Sequence, residues 1–170
     1  MKNALLSLFA GFAAITITTA QTDTTTLTRI GDRAPAFNCK TVDGKTIDIS
    51  KLQGKIIMIN FFATWCGPCN LELPLLQRTI WDKYKGNHNF ELIIIGRQHT
   101  EKEVSDFVKS KQFTMPFAPD PNREIYALYA TQFIPRNIII GKDGRIIFQS
   151  MGYTEEEFKK IEDVLAEKLK

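Results

Sequence analysis

The sequence predicts an α/β fold in which a mixed β-sheet is flanked by helices on both faces. The apolar run from Ile56 to Phe62, interrupted only by Asn60, is typical of a strand buried on both faces. Strand-like runs alternate with segments of helical periodicity, and two Asp-Gly pairs lie where hairpins would turn. A length of 170 residues suits one domain, and no repeat or linker divides the chain.

The first half of the domain predicts a hairpin, a strand, a helix and a second strand. Asp43-Gly44 separates two short strand-like segments and predicts the hairpin. After the Ile56–Phe62 strand, apolar residues at helical spacing predict a helix over 68–85 that ends at Gly86-Asn87. Leu92 to Ile95 then predicts the second buried strand.

The second half predicts a helix, a short helix, a hairpin and a final helix. Two pairs, Thr100 with Glu103 and Thr154 with Glu157, have the spacing of capping boxes and predict the starts of the two longer helices. Asp120-Pro121 predicts a short helix running to Tyr129. The last hairpin is predicted from two strand-like segments, Asn137–Ile140 and Arg145–Phe148, joined by the turn Asp143-Gly144. The last helix is predicted to have an apolar face made of Phe158, Ile161, Leu165 and Leu169.

The first twenty residues have the features of a secretory signal peptide rather than of the fold. Lys2 precedes an apolar stretch from Ala4 to Ile17, and small residues end at Ala20. We expect cleavage after Ala20, with an uncleaved N-terminal anchor as the alternative. Residues 21–29 are Thr-rich and are expected to form a flexible tether, so that residues 30–170 form the domain. Export to an oxidising compartment, such as the periplasm, follows from this reading.

Charge and cysteine content exclude several classes of protein. The net charge of +3 comes from interspersed acidic and basic residues, without a Lys/Arg run, and therefore gives no support for nucleic-acid binding. Three cysteines are too few for a disulfide scaffold. The sequence gives no sign of a cofactor, and we expect a monomer.

The strongest chemical signal is the segment from Trp65 to Cys69, WCGPC, which follows a buried strand and opens a helix. Cysteines three apart in a first helical turn can form a disulfide, and the helix N-terminus favours a thiolate. Gly67 and Pro68 complete the turn; proline costs little there because its missing N–H would be unpaired. We expect Cys66 to be the more exposed sulfur and the attacking one, and Cys69 to be the resolving one.

Two other interpretations of the cysteine pair remain open. A static disulfide is disfavoured because closing so short a loop constrains the unfolded chain little. A zinc site would need two more ligands, for which Cys39, His88 and His99 are the candidates besides carboxylates.

The segment NFFATWCGPCNLELP resembles the active-site segment of the thioredoxin superfamily, and more narrowly that of the TlpA/ResA-like thiol–disulfide oxidoreductases. The resemblance covers residues 30–168. It includes the lead-in GDRAPAFNCKTVDGKTIDISKLQGK and Ile134-Pro135, which resembles the superfamily's cis-proline loop. It implies a three-layer thioredoxin-like fold with an added N-terminal β-hairpin and an insert between strand and helix.

The resemblance also implies exchange with protein disulfides, for example in cytochrome c maturation, and a membrane thiol reductase as electron donor. Glu72 and Pro74 complete a C-x-x-C-x-x-E-x-P pattern similar to that of the ResA-like proteins. Glu72 either accepts the proton of Cys69 or merely stabilises the helix N-terminus. Pro74 should kink the helix. Asn60 stands where thioredoxin has a buried aspartate, and the simpler expectation is that it only satisfies backbone groups.

The remaining candidates concern substrate contact. A cis Pro135 would place the backbone of Ile134 beside Cys66, where it would pair with a substrate strand. Trp65 and Phe133 are candidates for an apolar rim, and Arg136 for a charge on that rim.

Cys39 is expected to be a buried, unreactive thiol, with a third redox thiol or intermolecular pairing as the alternatives. His88 and His99 are expected to be solvated.

The sequence therefore predicts an exported thiol–disulfide oxidoreductase without metal or cofactor, acting as a reductant of protein disulfides. Two alternatives stay open. A peroxiredoxin-like peroxidase would need a Thr-x-x-Cys setting, whereas Thr64 lies only two residues before Cys66. A copper-handling module of the same fold would use a CxxxC pair with a histidine.

Overall fold

The computed structural model describes residues 23–170; the predicted signal peptide, residues 1–20, lies outside the described residues. No helix in the described part of the chain is both long and apolar enough to span a membrane. The strands are β1 (Asn38–Lys40), β2 (Thr46–Asp48), β3 (Ile56–Phe62), β4 (Phe90–Arg97), β5 (Phe117–Asp120), β6 (Arg136–Ile140) and β7 (Ile146–Met151). The α-helices are α1 (Gly67–Leu75), α2 (Asp82–Tyr84), α3 (Glu101–Lys111) and α4 (Glu155–Lys168).

The central sheet is mixed, as predicted, with the strand order β5-β4-β3-β6-β7. The central strand β3 is parallel to β4 and antiparallel to β6. The edge strands extend this pattern, since β5 is parallel to β4 and β7 is antiparallel to β6. Strands β1 and β2 form the predicted separate hairpin. Because β3 and β4 are parallel, their carboxyl ends meet at one edge of the sheet, where the segments after Phe62 and Arg97 lie side by side.

The sheet separates two apolar cores. Alternate residues of β3 point to opposite faces, so that Met58 and Phe62 belong to one core and Ile59 and Phe61 to the other. Helices α1, α3 and α4 cover the first face. The second face is covered by the β1-β2 hairpin, by the 3₁₀ segment that contains Ile49, and by a 3₁₀ helix at Tyr126–Leu128. Helical structure thus flanks both faces, but the long helices gather on one.

The helix after the cysteine motif is continuous but not uniformly α-helical. Helix α1 runs into a π-helical segment, Leu76–Trp81, and then into α2. Together they span almost the predicted range of 68–85. Pro74 lies inside α1 and has no N–H to donate to the preceding turn, and the departure from α-helical hydrogen bonding begins two residues later.

The structure differs from the sequence-based expectation between residues 117 and 129. Strand β5 was not predicted, and the expected helix from Asp120 to Tyr129 is reduced to the 3₁₀ helix at Tyr126–Leu128. Arg123 adopts a left-handed φ of 61°, which interrupts a helix starting at residue 121. Asp120 does act as a cap, but at a distance: its carboxylate accepts the N–H groups of Ile125 and Tyr126.

The predicted capping signals are present to different extents. Thr100 and Glu103 form a complete capping box at α3. At α4 the Thr154 hydroxyl accepts the Glu157 N–H, and the reciprocal bond is not formed. Both helices nevertheless begin where the sequence pattern places their starts.

The described part of the expected tether is docked on the domain. Leu27 N–H donates to the Tyr129 carbonyl at 2.9 Å, and Thr131 N–H donates to the Thr25 carbonyl at 2.9 Å. Thr28 is buried and bonds to Gln149. The expectation of a free tether therefore does not hold for residues 25–28, because their backbone extends the hydrogen-bonded edge near residues 129–131.

Candidate active site

The two cysteines of the motif lie at the start of α1, shortly after the end of β3. Cys66 is the N-cap residue of α1, and Gly67 and Pro68 occupy the first turn. Cys66 and Cys69 form a disulfide with an S–S distance of 2.07 Å. The Cys69 N–H also points at the Cys66 sulfur at 3.2 Å. Cys66 is 5% exposed and Cys69 is fully buried, so Cys66 is the sulfur that a partner can reach.

The Ile134-Pro135 loop lies directly against Cys66. The peptide bond between these residues is cis, as the resemblance implies. The Ile134 carbonyl oxygen is 3.8 Å from the Cys66 sulfur. The preceding carbonyl, that of Phe133, accepts the buried Tyr126 hydroxyl at 2.7 Å, which fixes the loop to the body of the domain.

Glu72 is buried within a cluster of amide side chains. It is 1% exposed, and its carboxylate accepts Asn60 Nδ2 at 2.9 Å and Asn137 Nδ2 at 2.6 Å. Asn60 also donates to Asn137 Oδ1 at 2.7 Å, while its own Oδ1 has no partner. Burial raises the pKa of Glu72 to about 7, and the two amide hydrogen bonds oppose the shift without cancelling it. The cluster thus places a carboxyl that titrates near neutrality one helical turn after Cys69.

This cluster corrects one expectation and adds one residue. Asn60 bonds to two side chains instead of satisfying backbone groups. Asn137 was not singled out in the sequence, although it lies directly opposite Asn60 in the β3-β6 register. The sequence shows Asn137 as a polar residue at the start of a predicted strand of isoleucines, which is only a partial indication of its role.

The surface around Cys66 combines aromatic side chains with one arginine. Trp65 is 66% exposed and Phe133 is 56% exposed. With Cys66, Ile134 and Arg97 they line a shallow cavity of about 360 Å³. The charge on this rim therefore comes from Arg97, which the sequence reasoning did not single out.

Arg136, the predicted source of that charge, lies elsewhere. It is 3% exposed, and its guanidinium donates to the Gln132 carbonyl and to the hydroxyls of Thr25 and Thr26. Arg136 therefore holds the N-terminal segment against the domain.

The two histidines have different environments, and one expectation is wrong. His88 is exposed, whereas His99 is 4% exposed. His99 Nε2 accepts the Thr64 N–H at 2.9 Å, and its Nδ1 lies 3.9 Å from a carboxylate oxygen of Glu103. Burial lowers the pKa of His99, and the Glu103 charge partly opposes this. His99 follows β4 and Thr64 follows β3, so the parallel pairing of these strands brings them together.

Cys39 is a free thiol on the other side of the sheet from the disulfide. It is buried in the core with Ile47 and Ile59, whereas Cys66 and Cys69 belong to the opposite core. Burial, reinforced by the charge of Glu91, raises the pKa of Cys39 to about 11. This environment matches the expectation of an unreactive thiol.

A disulfide at a helix N-terminus, next to a cis-proline loop and on a mixed sheet flanked by helices, defines a thiol–disulfide oxidoreductase of the thioredoxin fold. The chain belongs to the Redoxin family, whose model matches residues 29–165. Within the thioredoxin superfamily it is TlpA/ResA-like.

Named relatives and solved structures agree with this assignment. The chain is 33% identical over 129 residues to the thiol-disulfide oxidoreductase ResA of Bacillus cereus, covering 76% of this chain and 73% of the relative. A solved structure of a putative protein disulfide isomerase from Bacteroides thetaiotaomicron is 39% identical, with a TM-score of 0.82 over 85% of this chain and 92% of that one. StoA from Bacillus subtilis shares the fold, with a TM-score of 0.65 at 24% identity over 76% of this chain and 96% of that one.

Proposed function

We propose that the protein is exported and reduces disulfide bonds of other exported proteins, with Cys66 as the attacking and Cys69 as the resolving thiol. The observation that carries the proposal is the unequal access of the two sulfurs. Cys66 reaches the surface at the rim of a cavity, while Cys69 is fully buried behind it. A substrate sulfur therefore has a path to Cys66 and none to Cys69.

In the reduced protein, the Cys66 thiolate attacks one sulfur of the substrate disulfide. The substrate S–S bond breaks, its second sulfur leaves as a thiolate that takes up a proton, and a mixed disulfide forms at Cys66. The Cys69 thiolate then attacks the Cys66 sulfur and releases the first substrate sulfur. Two electrons pass to the substrate, and the Cys66–Cys69 disulfide present in the structure is the product.

The N-terminus of α1 supports the first step, because its free N–H groups stabilise a negative sulfur. The Cys69 N–H already points at the Cys66 sulfur at 3.2 Å. The backbone of Ile134, held beside Cys66 by the loop at Pro135, is the proposed pairing edge for the substrate strand, and Trp65 provides an apolar contact.

Glu72 is the proposed proton acceptor for Cys69 in the second step. It lies three residues after Cys69 and therefore on the same side of α1. A carboxyl with a pKa of about 7 matches the requirement that a general base titrate near the working pH. Asn60 and Asn137 hold both of its oxygens in place.

Two features of the proposal lie outside the domain. The signal-like segment at residues 1–20 supports export. Turnover also requires a thiol donor that returns two electrons to the Cys66–Cys69 disulfide, for which we propose a membrane thiol reductase; dithiothreitol replaces it in the assay below.

The test is insulin reduction with dithiothreitol, comparing the wild type with Cys66→Ser and Cys69→Ser. We expect both variants to lose turnover, and Cys69→Ser alone to accumulate a mixed disulfide with substrate. Retained turnover in Cys66→Ser would refute the mechanism. A midpoint potential of the pair of about −270 mV would support a reductant, and a value of about −120 mV would make the protein an oxidant.

A further inference from the structure

We infer that Arg97 gives this oxidoreductase a preference for disulfide substrates that carry an acidic side chain next to the attacked cysteine. The inference rests on the proposed function and adds a substrate class to it.

Arg97 is the cationic residue of the surface that surrounds the reactive sulfur. It ends β4, is half-buried, and lines the same cavity as Cys66. Its guanidinium carbon lies 5.0 Å from the centre of the Tyr126 ring. The Tyr126 hydroxyl also donates to the Phe133 carbonyl, so Tyr126 contacts both Arg97 and the loop beside Cys66.

The charge of Arg97 is not neutralised within the described residues. Neither Arg97 nor Arg123, which stacks on the same ring at 5.3 Å, forms an ion pair there. Asp120 is opposite Arg97 in the β4-β5 register, yet its oxygens accept the N–H groups of Ile125 and Tyr126. The Nε atoms of both arginines are buried without a hydrogen-bond partner.

Arg97 and Arg123 are neighbouring cations that repel each other, and the Arg123 guanidinium donates to the Thr131 carbonyl. Arg97 alone of the two lines the cavity, so a carboxylate that enters it would pair with Arg97 and offset this repulsion. Burial and the Arg123 charge lower the pKa of Arg97, because both disfavour a positive charge at this position. The exposed rings of Trp65 and Phe133 flank the cavity and would contact the apolar part of a bound peptide. Charge complementarity at this place therefore points to an acidic residue in a peptide whose cysteine reaches Cys66.

A different role for Arg97 would be to stabilise the Cys66 thiolate itself. The two roles have different consequences. Thiolate stabilisation changes the rate on every substrate by the same factor, whereas charge recognition raises the rate on acidic substrates relative to neutral ones and lowers it on basic ones.

The experiment uses three disulfide-linked peptides that differ only in the residue beside the cysteine: Asp, Asn or Lys. Their reduction is followed as kcat/KM with dithiothreitol as donor, for the wild type, Arg97→Gln and Arg97→Lys. We expect the wild type to prefer the Asp peptide over the Asn peptide by about two- to fivefold. Arg97→Gln should lose this preference, so that its kcat/KM values on the Asp and Asn peptides become equal, and Arg97→Lys should retain most of it.

The control is Arg78→Gln, which removes an equal charge at an exposed position of the π-helical segment, outside the cavity. It should keep the wild-type ratio, and added salt should reduce that ratio. Equal rates of the wild type on all three peptides, or an equal loss on all three in Arg97→Gln, would overturn the inference while leaving the proposed function intact. If the wild type reduces insulin but none of the peptides, the inference alone fails; if it reduces neither, the proposed function fails as well.

Discussion

Glu72 shows how a single buried residue links stability to chemistry. The carboxyl is surrounded by protein and held by the Asn60 and Asn137 amides, both of which donate to it. Burial favours the protonated form, while the amide donors favour the ionised form, and the balance leaves a pKa of about 7. Burial therefore destabilises the ionised carboxylate in the folded protein. The same destabilisation raises its affinity for a proton, which makes Glu72 an effective base near neutral pH.

Replacing Glu72 with Gln should remove a pH dependence of stability. The pKa of Glu72 in the folded protein, about 7, lies above the ordinary glutamate pKa of 4.5, so the folded protein binds more protons than the unfolded chain between these values. Stability from this group is therefore complete below pH 4.5 and is lost as the pH rises through 7, by about 3 kcal/mol. Urea unfolding of the oxidised protein at pH 5 and pH 8 measures the change, and Glu72→Gln should lack this component.

The control for this measurement is Glu101→Gln, which removes an exposed carboxylate at the start of α3. It should keep the wild-type difference between the two pH values. An unchanged pH dependence in Glu72→Gln would mean that Glu72 does not titrate above its ordinary range.

At the scale of single residues, local spacing was enough to identify Cys66, Cys69 and Glu72, because all three lie within two turns of one helix. Asn137 and Arg97 could not be found in this way. Asn137 reaches Glu72 only because β6 pairs with β3, and Arg97 reaches the cavity only because β4 ends beside the segment after β3. Neither position follows from a local sequence pattern.

At the scale of elements, the short connection between β3 and α1 sets the position of the reactive cysteine. His99, at the end of the neighbouring parallel strand, accepts the N–H of Thr64 within this connection. Since Nε2 accepts, the neutral ring carries its proton on Nδ1, on the side of Glu103. A protonated ring would present N–H to N–H and lose the bond.

His99→Phe should therefore destabilise the protein and His99→Gln should do so less. Phenylalanine fills the buried space but leaves the Thr64 N–H without its acceptor, at a cost of about 1–3 kcal/mol at pH 7.5. Glutamine keeps an acceptor near the position of Nε2. Because burial lowers the pKa of His99, wild-type stability from this group is present above pH 6.5 and is lost as the pH falls.

Thermal and urea unfolding of the three proteins at pH 7.5 and pH 5 measure this effect. The difference between the wild type and His99→Phe should shrink at pH 5. Equal stability of His99→Phe and the wild type at pH 7.5 would show that the Thr64 contact contributes nothing.

Most elements followed from their sequence patterns, and the exceptions have a common cause. Strand β5 contains Pro119, which argues against a strand in a sheet interior, but β5 is an edge strand, where proline is tolerated. Asp120-Pro121 has the local pattern of a helix start, yet the Asp120 carboxylate caps the chain five and six residues later. In both cases tertiary position decided between structures that the local sequence allows.

At the scale of the whole molecule, the sheet divides redox chemistry from structural support. The disulfide and Glu72 lie on the face covered by the long helices. The opposite face is closed by the β1-β2 hairpin and by Tyr126 and Tyr129. The Tyr129 hydroxyl donates to the Pro35 carbonyl at 2.7 Å and so joins the N-terminal segment to this second core. The β1-β2 hairpin packs on the second core through Cys39 and Ile47 and lines no part of the cavity beside Cys66.

This division predicts that Cys39→Ser leaves insulin reduction unchanged but lowers the free energy of unfolding. Cys39 packs among apolar side chains of the second core, and a buried hydroxyl there without a partner costs about 1–3 kcal/mol. Cys39→Ala, which introduces no polar atom, separates that cost from the loss of the sulfur and should also retain full turnover. Turnover and urea unfolding, measured on the same preparations, give the two answers independently. A loss of turnover in both variants, with folding intact, would make Cys39 a third redox thiol coupled through the sheet to Cys66, because only the loss of the sulfur is common to the two substitutions.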